Sequence, residues 1–272
     1  MTQVPSAFSS PISGAKLRSV LALTRRKGRN EAGLFLAEGQ QAVSEALAAD
    51  AVEYLLVDEY AFDALPALLD SLSDRDAEPR DCPVFTVPTK DFARLSDTVT
   101  PQGIIAVCEQ RYYRLTDVPD PRLVVICAQV RDPGNAGTII RCASAFGADA
   151  VIFTQGSVEA ENPKTVRSSV GTIFHLPIIQ GVPLEDAVAW AQASGAQVLA
   201  ADAAGVPLGE LATTGGLSRP TAWLFGNEAW GFAPETLALA DRTVAIEMPG
   251  SAESLNVATA AAVLLYQSAL AR

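Results

Sequence analysis

Apolar and polar positions follow two rhythms along this chain, and both repeat before and after a break near its middle. Ahead of the break, Leu34–Ala37, Val52–Val57, Val84–Val87 and Ile104–Val107 are short apolar runs of strand length. Between them, Gln40–Ala49, Phe62–Leu72 and Thr89–Leu95 place apolar residues at three- and four-residue intervals, which predicts helices. The break is Gln110 to Arg122, rich in charge and containing Val118-Pro119-Asp120-Pro121, and it reads as a linker.

The second part restarts with Leu123–Ala128, an uninterrupted apolar run of the kind found in parallel strands buried on both faces. Further strands are predicted at Ala150–Thr154, Phe174–Pro177, Val198–Asp202, Ala222–Gly226 and Val244–Met248. Helices are predicted at Ala136–Phe146, Pro163–Val170, Leu184–Ser194, Pro234–Ala240 and Ser254–Leu270. Strand–helix alternation at this spacing predicts an α/β protein whose second half is a parallel sheet flanked by helices. The expected organisation is a small α/β domain over 1–113, a linker over 114–122 and a larger domain over 123–272.

Composition narrows the class. Of 272 residues, 49% are hydrophobic and 19% charged, as in a globular protein with a full core. Met1 to Pro11 lacks the basic start and apolar stretch of a secretory signal, and the longest apolar run, Val257 to Leu265, is too short to span a bilayer. Cys82, Cys108, Cys127 and Cys142 are scattered, without a CxxC pair, so a reducing cytoplasm and buried thiols are expected. No His/Cys cluster suits a metal, and the single histidine, His175, leaves no Ser-His-Asp arrangement. His175 is expected to be a buried or strand-end residue.

The net charge of −11 argues at first against a nucleic-acid partner. Its distribution softens the objection. Lys16, Arg18, Arg25, Arg26, Lys27 and Arg29 lie within the first 40 residues, against only Glu31 and Glu38. Screening removes distant charge within about 8–10 Å, so a local basic patch binds phosphates even on an acidic protein. A solvated basic terminus is the plain alternative.

Candidate chemistry sits in three Gly/Asn-rich turns that end apolar strands: Asp132 to Arg141, Leu224 to Gly231, and Ile246 to Val257. Ligands of parallel α/β sheets collect at the carboxyl ends of the strands, so the three loops predict one composite pocket. Asn135 and Ser254 each read equally as helix N-caps, and Gly226-Asn227-Glu228 as a tight turn. Arg141 is placed on the first turns of its helix, where a guanidinium would reach over the loop and hold a phosphate bidentately. Neither a GxGxxG fingerprint nor its acidic ribose partner appears, which makes a nucleotide-dependent oxidoreductase the more distant reading.

Taken in order, Asn135-x-Gly137-x-x-x-Arg141, Gly226-x-Glu228 and Ser254-Leu255-Asn256-Val257 resemble the three motifs of the SpoU (TrmH) branch of the SPOUT RNA methyltransferases. Asn162 to Ser169 and Leu176-Pro177 are similar to that family's middle region. Phe35 to Gly39 and Thr100 to Gly103 resemble its N-terminal L30e-like substrate-binding domain. The resemblance covers almost the whole chain.

It implies a SPOUT domain with a C-terminal trefoil knot, S-adenosylmethionine as methyl donor, and a ribose 2′-hydroxyl of RNA as acceptor. By the same resemblance Gly226, Asn227, Ile246, Met248, Leu255 and Val257 border the cofactor. Asn135, Arg141, Glu228, Ser254 and Asn256 form the catalytic set, completed in a homodimer by Arg141 of the other subunit. Arginine is always protonated and makes a poor base, so Arg141 is read as clamping the target phosphate and stabilising the alkoxide. Ser254 and Asn256 orient the ribose, and Asn135 holds Arg141 or the substrate. Glu228 pairs with Arg141 or orders its loop. Arg25, Arg26, Lys27, Arg29, Lys164 and Arg167 are the expected RNA contacts. Ribosomal RNA is the expected substrate; tRNA, or RNA binding without turnover, are the alternatives.

Overall fold

The computed structural model describes residues 10–60, 82–96, 98, 100–227 and 229–272. The expected helix Phe62–Leu72 lies outside the described residues. The chain divides into two compact units, Met1–Arg111 with Glu161–Phe174, and Tyr112–Ala160 with His175–Arg272.

In the first unit the elements are β1 (Ser10–Pro11), α1 (Gly14–Ala22), α2 (Arg26–Ala32), β2 (Leu34–Glu38), α3 (Gln40–Ala48), β3 (Val52–Asp58), β4 (Val84–Val87), α4 (Thr89–Leu95) and β5 (Ile104–Glu109). The sheet order is β1-β4-β3-β5-β2, with β5 antiparallel to both β2 and β3, and β4 parallel to β1 and β3. Side chains alternate across it as the two-residue period of a strand requires. Phe35, Leu55, Val57, Ile104 and Ala106 enter one apolar cluster with Val43 and Ala46 of α3. Leu36, Leu56, Ile105 and Val107 enter the opposite one, with Val20 of α1 and Phe92 of α4. Neither α1 nor α2 is among the expected elements: in α1 basic Lys16 and Arg18 interrupt the short apolar face of Leu17, Val20 and Leu21, and α2 has no apolar face, its one buried side chain being Arg29. The signal was Ser13, whose hydroxyl caps α1 by accepting from Lys16 N at 3.2 Å.

Beyond β5 come β6 (Leu123–Cys127), α5 (Pro133–Ala145), β7 (Ala150–Thr154), α6 (Pro163–Ser169), β8 (Ile178–Val182), α7 (Leu184–Ala193), β9 (Gln197–Pro207), α8 (Leu208–Thr213), β10 (Thr221–Phe225), α9 (Pro234–Leu237), β11 (Arg242–Ala245) and α10 (Val257–Leu270). Of these, α6 belongs to the first unit. Val166 is buried in the α3-side cluster, and Phe174 stacks on Phe35 with ring centroids 5.8 Å apart. The 123–272 span expected as one domain thus lends Glu161–Phe174 to the other unit. The expected linker is not loose either: Tyr113, Leu115 and Val118 pack into the core of the second unit.

The second sheet runs β11-β9-β10-β6-β7-β8, and every pairing is parallel. All residues of β6, β7 and β10 are buried, as uninterrupted apolar runs dictate. One face packs Val124, Ile126, Ile152 and Leu224 against Ala187, Val188 and Ala191 of α7. On the other face Trp223 Nε1 donates to Ser268 Oγ of α10 at 2.8 Å.

Several expected elements shift for identifiable reasons. The strand predicted at Phe174–Pro177 is a 3₁₀ turn, Thr172–Phe174, followed by a strand that starts at Ile178. Pro177 has no N–H, and it joins the sheet only through its carbonyl, which accepts from Val151 N at 3.1 Å. The strand predicted to Met248 leaves the sheet after Ala245, and the helix predicted to Ala240 ends at Leu237. The last helix begins at Val257, three residues later than Ser254.

Candidate active site

Because all six strands of the second sheet are parallel, the loops after β6, β10 and β11 leave one edge together. Between two of them lies a cavity of about 460 Å³, within the range of small-ligand sites. Phe225, Gly226 and Asn227 line it from the loop after β10; Ile246 and Met248 from the segment that leaves β11; Glu253 to Val257 from the approach to α10. All six residues expected to border a cofactor line it, as do Ser254 and Asn256.

Two backbone features shape this cavity. A Cβ on Gly226 would lie 2.9 Å from Gly231 O and 3.1 Å from the Phe232 ring, so only glycine lets the loop fold back on itself. The second feature is a long bulge in β9. Ala200 pairs with Thr243, but the next pair is Val206 with Val244, so Ala201–Gly205 is pushed out of register. Ala201, Asp202 and Ala203 of this excursion form a cavity wall. Gly205 makes the return possible, since its Cβ would sit 2.4 Å from the backbone of Thr243 and Val244. Asp202 was not among the expected site residues; its Oδ1 accepts from Ala204 N at 3.0 Å, holding the bulge. A carboxylate and a glycine breaking an apolar run were the available signal.

Hydrogen bonds join the three loops. Asn227 is buried, donates from Nδ2 to Gln129 O at 2.8 Å and accepts at Oδ1 from Ala229 N at 2.9 Å. Asn256 caps α10, its Oδ1 accepting from Ala258 N at 2.9 Å and Thr259 N at 3.3 Å. Its other end, Nδ2, donates to Asn135 Oδ1 at 2.8 Å. Both expected caps are therefore reassigned. Asp132, not Asn135, caps α5 by accepting from Asn135 N at 2.8 Å, and Asn256, not Ser254, caps α10. With the caps so placed, Ser254 is exposed at the cavity and Asn135 meets Asn256.

Arg141 stands apart from this network. Since α5 starts at Pro133, Arg141 lies in the third turn rather than over the loop, exposed and outside the cavity lining. No hydrogen bond or ion pair holds its guanidinium among the described residues. It lies near Cys142, whose thiol pKa burial raises while Arg141 lowers it, with burial prevailing. Glu228 lies outside the described residues. His175 is exposed rather than buried, and its Nδ1 lies 3.1 Å from Ser144 Oγ on α5.

The expected RNA contacts divide. Arg25, Arg26 and Lys27 are exposed at the start of α2, Lys164 is exposed on α6, and Arg167 is half-buried there. Arg29 is a correction. It is only 2% exposed and donates to Leu23 O at 3.0 Å. Burial lowers its pKa, while the nearby Glu161 carboxylate raises it. One helical turn separates an exposed arginine from a buried one, and the sequence pattern does not reveal which is which. Among the described residues no group of His, Cys, Asp or Glu is arranged to hold a metal, and no helix is long and apolar enough to cross a membrane.

The cavity thus offers apolar walls, close backbone and the carboxylates of Asp202 and Glu253, which suits an amphipathic ligand carrying positive charge. Comparison with known proteins agrees with that chemistry. Residues 122–266 match the SpoU rRNA Methylase family, and residues 15–106 match the MRM3-like substrate binding domain. The chain is 34% identical over 269 residues to the 23S rRNA (guanosine(2553)-2′-O)-methyltransferase RlmP of Bacillus subtilis, covering 98% of each protein. It is 30% identical over 265 residues to the 23S rRNA (uridine(2479)-2′-O)-methyltransferase of Streptomyces viridochromogenes, covering 90% of this chain and 86% of that one. Its fold superposes with a TM-score of 0.77 on the AdoMet-bound rRNA methyltransferase from Sinorhizobium meliloti, at 29% identity over 96% of this chain and 97% of the other.

Proposed function

Because this chain belongs to the SpoU rRNA methylase family, and is thereby an S-adenosylmethionine-dependent RNA 2′-O-methyltransferase, we propose that it acts on 23S ribosomal RNA as a homodimer in the cytoplasm. The observation that carries the reading is the bond from Asn256 to Asn135, which joins the cavity wall to the first motif. The residues present fit the methyl donor: Gly226 lets its loop close on Gly231 and Phe232 to form the cavity wall, and Asp202 and Glu253 place negative charge at the walls.

S-adenosylmethionine supplies an electrophilic methyl group on a sulfonium centre. The protein's task is positioning, which is worth several kcal/mol in a displacement between two bound partners. Ser254 and Asn256 hold the ribose at the cavity mouth, and Asn135 is fixed by Asn256 so that its amide keeps one orientation. The partner subunit's Arg141 grips the target phosphate and stabilises the oxyanion; the proton passes to phosphate or water, because a guanidinium cannot take it.

Two features support the dimer. Arg141 is exposed on α5 without a hydrogen-bonding or ionic partner among the described residues. On α10, which packs beside α5, Val263, Tyr266 and Leu270 form an exposed apolar stripe, with Leu270 63% exposed. A stripe of this kind on a helix that is apolar all round suits an isologous interface. The same C-terminal region, where β10 lies between β9 and β6 and the chain returns from β11 to α10, is where the reading puts the trefoil knot.

The test is a map of 2′-O-methylated positions in total RNA from cells with and without the gene. Loss of one 23S rRNA position is expected. Loss confined to tRNA would move the substrate, and an unchanged map would reduce the protein to RNA binding without turnover.

A further inference from the structure

A second cavity of about 270 Å³ opens on the other side of the loop after β10, sharing Gly231 and Phe232 with the first. It lies over the ends of β6 and β7 and the start of α7, and its lining includes Gln129, Gln155, Glu185 and Trp230. Its volume falls just below the range of about 300–1,000 Å³ that holds a drug-sized ligand, and suits a single ring system. Nothing in the methyl-transfer chemistry above uses it.

Gln129 is the residue that gives this cavity a purpose. Its backbone is left-handed, with φ +57°, a conformation that costs a non-glycine residue about 1–2 kcal/mol. Both its backbone groups are pinned: the N–H donates to Thr154 Oγ1 at 3.1 Å, and the carbonyl accepts from Asn227 Nδ2 at 2.8 Å. Glycine would adopt this backbone without strain. Its side chain lies over Gly156, where a Cβ would come within 3.5 Å of Gln129 Cγ. The strain is therefore spent on presenting an amide at the cavity. Strained non-glycine backbone of this kind collects at ligand sites.

Trp230 supplies the second half of the site. It is 57% exposed although it is the largest side chain of the loop. The Arg131 guanidinium lies 5.0 Å from the ring centroid, steadying the indole from one side. An exposed, braced indole beside two amides and a carboxylate combines a stacking platform with donors and acceptors for a base edge, which is how unpaired RNA bases are recognised.

We propose that this second cavity receives one unpaired base of the RNA substrate, within a nucleotide of the methylated ribose. The base stacks on Trp230, and Gln129, Gln155 and Glu185 read its polar edge. The inference rests on the RNA 2′-O-methyltransferase reading and names how that site selects its target.

The test uses a single-stranded RNA spanning the mapped nucleotide and three copies lacking one base each, at that nucleotide or at either neighbour. Binding is followed by fluorescence anisotropy at fixed salt. The wild-type protein should lose about tenfold in affinity for one of the three. Trp230→Ala should bind that RNA and the intact one within twofold of each other, and Trp230→Phe should restore most of the difference. Gln129→Gly removes the amide while relieving the backbone, so it should be at least as stable as wild type yet discriminate less. S-adenosylmethionine affinity should stay within twofold for all variants. Indifference of the wild type to all three abasic RNAs, or discrimination retained by Trp230→Ala and Gln129→Gly, would overturn the base site and leave the methylation map standing. An unchanged map would remove both.

Discussion

Asn256 donates its Nδ2–H to Asn135 Oδ1 at 2.8 Å, across 121 positions of sequence. The cap on α10 decides the direction: Asn256 Oδ1 is already committed to Ala258 N and Thr259 N, so only its NH₂ end can face Asn135. One side chain therefore starts the last helix and orients the first motif.

These two duties are separable. Ser is as good an N-cap as Asn but too short to reach Asn135. Asn256→Ser should keep its thermal midpoint within a few degrees of wild type while the methylation rate falls at least tenfold. Asn256→Ala should lose about 1 kcal/mol of stability as well. Equal activity of Asn256→Ser and wild type would make the contact to Asn135 incidental.

Arg141→Ala should abolish methylation and leave S-adenosylmethionine affinity, measured by calorimetry, within twofold of wild type. Gly226→Val should do the reverse, its side chain colliding with Gly231 and Phe232 and so disrupting the cavity wall of a subunit whose Arg141 is intact. Mixing the two inactive proteins should recover part of the activity, because each mixed dimer holds one open cavity facing an intact arginine. No recovery, with mixed dimers shown by mass, would place Arg141 in the site of its own subunit.

Gly205→Ala should destabilise the second unit by about 1–3 kcal/mol, the usual cost of overpacking. The added Cβ would collide with the backbone of Thr243 and Val244, pushing β11 away and moving the cavity wall at Ala201–Ala203. Weaker S-adenosylmethionine binding should accompany the loss in urea stability.

The arginines near α2 should separate by experiment. Reversing charge at Arg25 and Arg26 should lower RNA affinity and flatten its salt dependence, with stability unchanged, since both are exposed. Arg29→Met should instead cost about 3 kcal/mol, because it leaves the buried Glu161 carboxylate without its nearby guanidinium. Unaltered RNA binding in the double reversal would direct attention to Lys164 and Arg167.

Burial raises the thiol pKa of Cys82, Cys108 and Cys142 above the ordinary thiol range. A raised folded pKa gives stability that is complete below the unfolded value and is lost as pH climbs toward the folded one. The urea midpoint should therefore be flat up to about pH 8 and fall from pH 9 upward. Cys108→Ala should reduce that fall, as Cys108 is fully buried. A midpoint indifferent to pH between 8 and 10 would contradict this.

Much of the architecture was legible because burial on both faces of a parallel strand demands an apolar run, and β6, β7 and β10 each lie within two residues of such a run. The cofactor wall was legible for another reason: Gly226 and the Ile246–Val257 segment carry their chemistry in contiguous motifs. Helix α1 was missed because its apolar face is only Leu17, Val20 and Leu21 between basic residues, and α2 because it buries no apolar side chain, only Arg29. The second cavity was invisible, being assembled from four separate segments around a glutamine whose strain shows only in its dihedral angle.

The sequence by itself determined which runs would be buried strands, the order of the three loops and the residue types available for methyl transfer. These are local properties, set by the period of a strand or helix and by the chemistry of adjacent residues. Tertiary structure alone decided that Asp132 and Asn256 are the caps, that Arg29 is buried while Arg25 and Arg26 are exposed, that β9 bulges at Ala201–Gly205, and that Glu161–Phe174 packs with the first unit. Each of those is a contest between distant groups for one hydrogen bond or one buried volume, and its winner depends on pairings that no single segment contains.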